Sequence, residues 1–265
     1  MPDFLTHAMF AQEALDCGGF ALHSCCLRHA NLFRLGSQGP DLFYYLEYVA
    51  PLRGYGKSAS ALHSLSPVDA LELLHELDPR EKDWSLQCAY LCGYAAHLCL
   101  DQAVHPFVEL RAAELSEEIG ISRHCAHVML ESRFESRAYF ERTGKQPFAY
   151  LFRADMPQCD FERSAVIDSC CALLRRCGNC ELSRSTFDSA LINLPRLFRF
   201  LFNENNSARD FLDFLFRTAH LNFSARWRIK RRFDGSIVPF TEADYMQSCD
   251  LYDKALAEYL HLVSD

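Results

Sequence analysis

The chain has 265 residues, of which 49% are hydrophobic and 13% aromatic. That much apolar material can build a substantial core, and the length fits one large domain or two small ones. The formal net charge of -8 argues against stable or non-specific binding of nucleic acid, because an acidic surface repels phosphate groups.

The start of the chain, MPDFLTHAMF, contains neither the basic nor the apolar region of a signal peptide. No uninterrupted apolar run of about 18 residues occurs, so we expect no transmembrane segment and a cytoplasmic location. The thirteen cysteines are an odd number without a regular spacing. This is typical of reduced thiols packed as small hydrophobic residues.

Apolar residues recur at helical spacing along most of the chain, and capping residues mark several helix ends. Thr6 is a candidate N-cap for a helix that runs towards Gly18, and a second helix should end at Gly36. Ser66 and Pro67 are the residue types of an N-cap and a first helical position. Further helices are expected from about Trp84 to Leu110 and near residues 122–143, 161–177, 186–203, 207–220 and 241–263. No run of alternating β-branched residues is long enough for a strand, so the expected fold class is all-α.

The pattern with the clearest chemistry is His97, Asp101 and His105, which are spaced by four residues. Each such step advances about 40° around a helix, so the three side chains project from one stripe. Alanine, leucine, cysteine and valine surround them, which indicates a largely buried helix. A metal ion would satisfy all three polar groups at once, and we favour it over a hydrogen-bonded network in the core.

A second pair, His127 and Glu131, has the same spacing on another predicted helix. Glu135 lies one turn further and is expected to be an exposed acid, or else to orient a ligand. His7, His63 and Asp41 carry little information singly, because isolated residues of these types are usually packed or exposed at the surface.

Together these residues form an ordered series: Pro2-Asp3-Phe4-Leu5-Thr6-His7, Gly39-Pro40-Asp41, Leu62-His63, then His97, Asp101 and His105-Pro106, then His127 with Glu131. The series resembles the zinc-dependent phospholipase C family and, more distantly, the fungal single-strand nucleases of the same superfamily. The similarity covers residues 2–135 and depends on the order of the candidate ligands rather than on one motif.

The resemblance implies a single multi-helix domain with two or three zinc ions, in which residues 1–145 form the metal-binding core and 146–265 a helical region packed on it. It implies that His63, His97 and Asp101 hold one ion and that His105, His127 and Glu131 hold another. His7 would help to hold a third ion, with Asp101 bridging. Asp41 would be the general base, or would orient the attacking water. Imidazole and carboxylate groups are donors suited to zinc.

The implied reaction is hydrolysis of a phosphodiester bond by a metal-activated water. A phospholipid or another phosphodiester would be the substrate, and peripheral contact with a membrane is compatible with this. Two alternatives stay open. A single-strand nuclease would need aromatic platforms for base stacking, for which Tyr44, Tyr45 and Tyr48 are candidates. A non-enzymatic helical protein would hold structural zinc or none.

Overall fold

The computed structural model describes residues 4–18, 24–49, 54–178, 183–202 and 240–264. Within these ranges the regular structure is helical, without a strand, which confirms the all-α fold class. The α-helices are α1 (Phe4–Gly18), α2 (Ser24–Arg28), α3 (Ala30–Gly36), α4 (Asp41–Val49), α5 (Tyr55–Leu62), α6 (Pro67–Glu76), α7 (Trp84–Ile119), α8 (Arg123–Thr143), α9 (Asp160–Arg176), α10 (Arg184–Phe202) and α11 (Glu242–Leu262). Short 3-10 helices occupy Pro147–Ala149 and Phe152–Asp155.

Several predicted helix boundaries are confirmed. Ser66 forms a capping box with Asp69 at the start of α6, and Pro67 is its first residue. The α3 helix ends at Gly36, and α11 begins after Thr241, whose hydroxyl accepts a hydrogen bond from the backbone N–H of Asp244 at 3.1 Å. The predicted helix at 207–220 lies outside the described residues.

Other boundaries differ from the prediction. Thr6 lies inside α1 rather than at its N-cap, and α7 continues past Leu110 to Ile119. Glu135 is fully buried, so the expectation of an exposed acid was wrong. Its carboxylate accepts a hydrogen bond from the backbone N–H of Leu5 at 2.5 Å, in the first turn of α1. The partial positive charge of a helix N-terminus favours a carboxylate there.

The chain divides into two compact units. The first unit consists of Met1–Thr6, Asp101–Tyr150 and Phe198–Lys254. The second unit consists of His7–Leu100, Leu151–Leu197 and Ala255–Asp265. The division falls inside the continuous helix α7, between Leu100 and Asp101.

Aromatic residues fill the core of each unit. In the second unit Tyr259 is fully buried, and its hydroxyl donates to the backbone carbonyl of Cys92 at 3.1 Å. In the first unit Phe134 packs against Tyr245, with ring centroids 5.6 Å apart. The described cysteines form no disulfide, and seven of them are buried, in agreement with the predicted packing role. None of the described helices is long and apolar enough to cross a membrane.

Two glycines bring α3 and α7 into direct backbone contact within the second unit. A Cβ atom at Gly36 would overlap the carbonyl oxygen of Tyr90, and one at Gly93 would overlap that of Phe33. Only residues without a side chain allow this approach. It places the turn that follows α3 directly against the histidine-bearing part of α7.

Candidate metal centres

Three of the predicted residues form a compact group in the second unit, which we call the Asp41 cluster: Asp41, His63 and His97. Each offers one donor atom, and these atoms all lie within 4.8 Å of one another. Asp41 and His97 are buried, and the side chain of His63 is 18% exposed. Two imidazoles and one carboxylate are a usual ligand set for zinc.

Helix ends and the turn after α3 position this cluster. Asp41 is the first residue of α4, directly after the turn at 37–40, and His63 directly follows α5. His97 lies in the middle of α7 and faces the same turn. Gly39 adopts a φ of +50°, and a Cβ atom there would overlap the imidazole of His97. A residue without a side chain is therefore needed where the turn meets the ring.

Backbone carbonyls orient both imidazoles. Nδ1 of His97 lies 3.0 Å from the carbonyl oxygen of Ser37, and Nδ1 of His63 lies 2.8 Å from that of Ala59. A carbonyl can only accept, so each Nδ1 carries the hydrogen, and the lone pair of a neutral ring is on Nε2. Histidines that bind metals commonly have this arrangement, with the second ring nitrogen donating to a carbonyl or carboxylate.

The distance between His63 and Asp41 fits a shared cation. Nε2 of His63 lies 3.2 Å from Oδ1 of Asp41. When the hydrogen of His63 is on Nδ1, the lone pair of its Nε2 faces a lone pair of Asp41 Oδ1. The two lone pairs repel each other unless a proton or a metal ion lies between them. Two ligands at tetrahedral positions about 2.1 Å from zinc are about 3.4 Å apart. The pair therefore already has the spacing of two zinc ligands.

His7 packs directly against His97. The imidazole of His7 stacks on that of His97, with centroids 3.9 Å apart and planes inclined by 20°. Asp101, one turn further along α7, is also buried. All three residues of the predicted stripe lie on α7, and His97 and Asp101 are buried as expected, whereas the side chain of His105 is 36% exposed.

A second group lies in the first unit, and we call it the His127 cluster: His105, Glu109 and His127. Their donor atoms also lie within 4.8 Å of one another. Oε1 of Glu109 is 2.8 Å from Nδ1 of His127 and 3.8 Å from Nε2 of His105. Oε1 of Glu131 is 2.7 Å from the other ring nitrogen of His127, Nε2.

The charges of the His127 cluster reflect its partial burial. Burial lowers the pKa of His105 to about 4 and so favours the neutral imidazole, the form that binds metals. Burial alone would raise the pKa of Glu109, but His127, His105 and Arg123 outweigh it, and the pKa is lowered. Both shifts leave the donors in the protonation states that a metal ion requires.

The structure therefore places five of the predicted residues in these two clusters: Asp41, His63, His97, His105 and His127. His7 stacks on His97 and Glu131 contacts His127, but neither belongs to the clusters as defined. Asp41, for which the resemblance implied a role as base, has a carboxylate oxygen within 4.8 Å of a ring nitrogen of His63 and of His97, so it is also a candidate ligand. Glu109, the carbonyl of Ser37 and the backbone of Gly39 were not recognised as site residues. For Glu109 a signal was present, since residue 109 continues the four-residue spacing of 97, 101 and 105.

No protein-family model, no curated protein and no solved structure matches this chain. The proposed function therefore depends on the chemistry of the two clusters and on the order of their residues along the chain.

Proposed function

We propose that the protein is a zinc-dependent hydrolase of phosphodiester bonds, with an activity of the phospholipase C type. The observation that carries this proposal is the Asp41 cluster. It combines two imidazoles, each with Nδ1 on a backbone carbonyl, and a buried carboxylate 3.2 Å from one Nε2. A hydrogen-bonded core network would not require the Nε2 lone pair of His63 to face a carboxylate oxygen.

In this proposal His63 and His97 hold the ion through Nε2, and Asp41 holds it through Oδ1. Zinc supplies Lewis-acid activation of water and neutralises charge on the phosphoryl group. A carboxylate that binds through one oxygen retains a second one that can accept a proton. Asp41 therefore takes the proton of the attacking water in addition to its role as ligand.

The other predicted ligands extend the metal centre. His7 stacks on His97 and is proposed to hold further zinc with it. Asp101 is proposed as a further zinc ligand, and the His127 cluster is proposed to hold an ion in the first unit. Bound zinc also explains how a chain with a net charge of -8 would accept an anionic substrate. Zinc held by these residues would mask the charge of the carboxylates that bind it.

Tyr44 supports the nuclease of the same superfamily as a second candidate. Its ring lies 5.9 Å from that of His63, with planes inclined by 29°. An aromatic ring beside a metal centre provides a stacking surface for a nucleobase. Tyr45 is buried in the core and Tyr48 is exposed, so Tyr44 is the better candidate for this stacking role.

The test measures metal content and hydrolysis on the same protein. Zinc is quantified in the purified chain by mass spectrometry, and hydrolysis is assayed on a choline phospholipid, a nitrophenyl phosphodiester and single-stranded DNA. His97→Gln should lose zinc and activity, whereas His75→Gln, at an exposed position of α6, should keep both. Activity on DNA alone would favour the nuclease, and a fully loaded protein that hydrolyses none of the substrates would refute the proposed function.

A further inference from the structure

His127 lies between two carboxylates that contact different ring nitrogens. Glu109 is 2.8 Å from Nδ1, and Glu131 is 2.7 Å from Nε2. A neutral imidazole binds a metal through one nitrogen and carries its hydrogen on the other. If His127 is neutral and binds zinc, one glutamate would therefore share the ion with it and the other would accept the ring N–H.

The group of three candidate zinc ligands includes the glutamate on the Nδ1 side of His127. Oε1 of Glu109 lies there and is also 3.8 Å from Nε2 of His105, and the donor atoms of Glu109, His105 and His127 are mutually within 4.8 Å. The rings of His105 and His127 have centroids 5.2 Å apart. Glu131, by contrast, belongs to no such group of three among the described residues. Its side chain is only 3% exposed, and its Oε1 lies 2.7 Å from Nε2 of His127 within one helix, α8.

Glu109 is also held in an orientation that suits a ligand. Nη2 of Arg123 lies 2.5 Å from Oε2 of Glu109, so the guanidinium engages one oxygen and Oε1 faces the two histidines. Because Glu109 follows His105 by four residues on α7, both side chains project from the same stripe of that helix.

We propose that His105, Glu109 and His127 are the zinc ligands of the first unit, with His127 binding through Nδ1. Glu131 is a positioning residue that accepts the Nε2–H of His127. This inference rests on the proposed zinc dependence and reassigns Glu131 from the ligand role that the family resemblance implied. A carboxylate that orients a metal-bound histidine in this way is a recurrent outer-shell partner.

Isosteric variants separate the two glutamates without measuring activity. Glu109→Gln should lose one equivalent of bound zinc, measured by titration against a chromophoric chelator. Glu131→Gln should retain that equivalent, with an affinity about 10–100-fold lower, as for other outer-shell partners. Glu117→Gln, at an exposed position of α7, the helix that carries Glu109, is the matched control and should bind zinc like the wild type. Circular dichroism verifies that each variant is folded.

The ring nitrogens provide a second readout that a purely structural role of Glu131 would not affect. In protein with ¹⁵N-labelled histidine, adding zinc should shift Nδ1 of His127 while Nε2 keeps its hydrogen. Zinc binding at Nε2, or loss of the equivalent in Glu131→Gln but not in Glu109→Gln, would overturn the assignment. So would an unchanged zinc content in both variants. If the zinc pattern is as expected but no phosphodiester is hydrolysed, the proposed function fails and this ligand assignment stands.

Discussion

Replacing Gly39 by alanine tests whether the turn after α3 builds the Asp41 cluster. Gly39 has a φ of +50°, and the added methyl group would overlap Cγ and Cδ2 of the His97 ring. That ring has little room to move. Its Nδ1 is held by the carbonyl of Ser37 at 3.0 Å, His7 stacks on it at 3.9 Å, and its side chain is fully buried.

Two costs add in this variant. A left-handed conformation costs a residue with a Cβ atom about 1–2 kcal/mol, and inserting a methyl group into a packed interior costs about 1–3 kcal/mol. We therefore expect Gly39→Ala to lower the free energy of unfolding by about 2–5 kcal/mol. Urea denaturation of the zinc-free protein measures this change without a contribution from metal binding.

Gly144→Ala is the matched control. Its φ is +68°, and an added Cβ atom would meet nothing within 4 Å, so it incurs only the conformational cost of about 1–2 kcal/mol. Displacement of His97 should also weaken zinc binding about 10–100-fold in Gly39→Ala, with no change in Gly144→Ala. If the two variants are equally stable and bind zinc equally well, the turn does not position His97 and this reasoning is wrong.

Three further predictions concern the metal centres and one helix cap. Asp101→Asn should lose zinc and activity together. Asp41→Asn should have a kcat about 10²–10⁴-fold lower than the wild type even at saturating zinc. A wild-type kcat for Asp41→Asn at saturating zinc would exclude Asp41 as the proton acceptor. In zinc-free protein, burial lowers the pKa of His105 from 6.5 to about 4. Between these two pH values the unfolded chain therefore binds more protons than the folded protein does. Stability, followed by urea midpoints, should fall as the pH falls from about 6.5 to about 4, and His105→Gln should remove that component. Ser66→Ala should lower the free energy of unfolding by about 0.5–2 kcal/mol at neutral pH. The hydrogen bond from Ser66 lowers the pKa of Asp69 below its ordinary 3.8, so this loss should shrink as the pH falls below about 3.8, and a loss independent of pH would contradict it.

Local features of the fold could be predicted because helix geometry is a short-range property. Ser66 and Pro67 lie at the start of α6 as expected, and His97 and Asp101 occupy buried positions of one helix, α7, as their spacing predicted. Hydrogen bonds and side-chain neighbours three or four residues apart are set by the backbone of the helix itself. The all-α class and several helix ends therefore follow from the sequence.

The tertiary structure decided which remote groups meet these helices. Glu135 is buried because it meets the first turn of α1, a contact across 130 positions of the chain. The tautomer of His97 depends on the carbonyl of Ser37, which reaches the ring because Gly36 and Gly93 allow two helix backbones to touch. The spacing of His127 and Glu131 indicated a pair, but which ring nitrogen faces which glutamate depends on where α7 places Glu109. Periodicity specifies the face of a helix, whereas contacts between faces arise only when distant segments pack together.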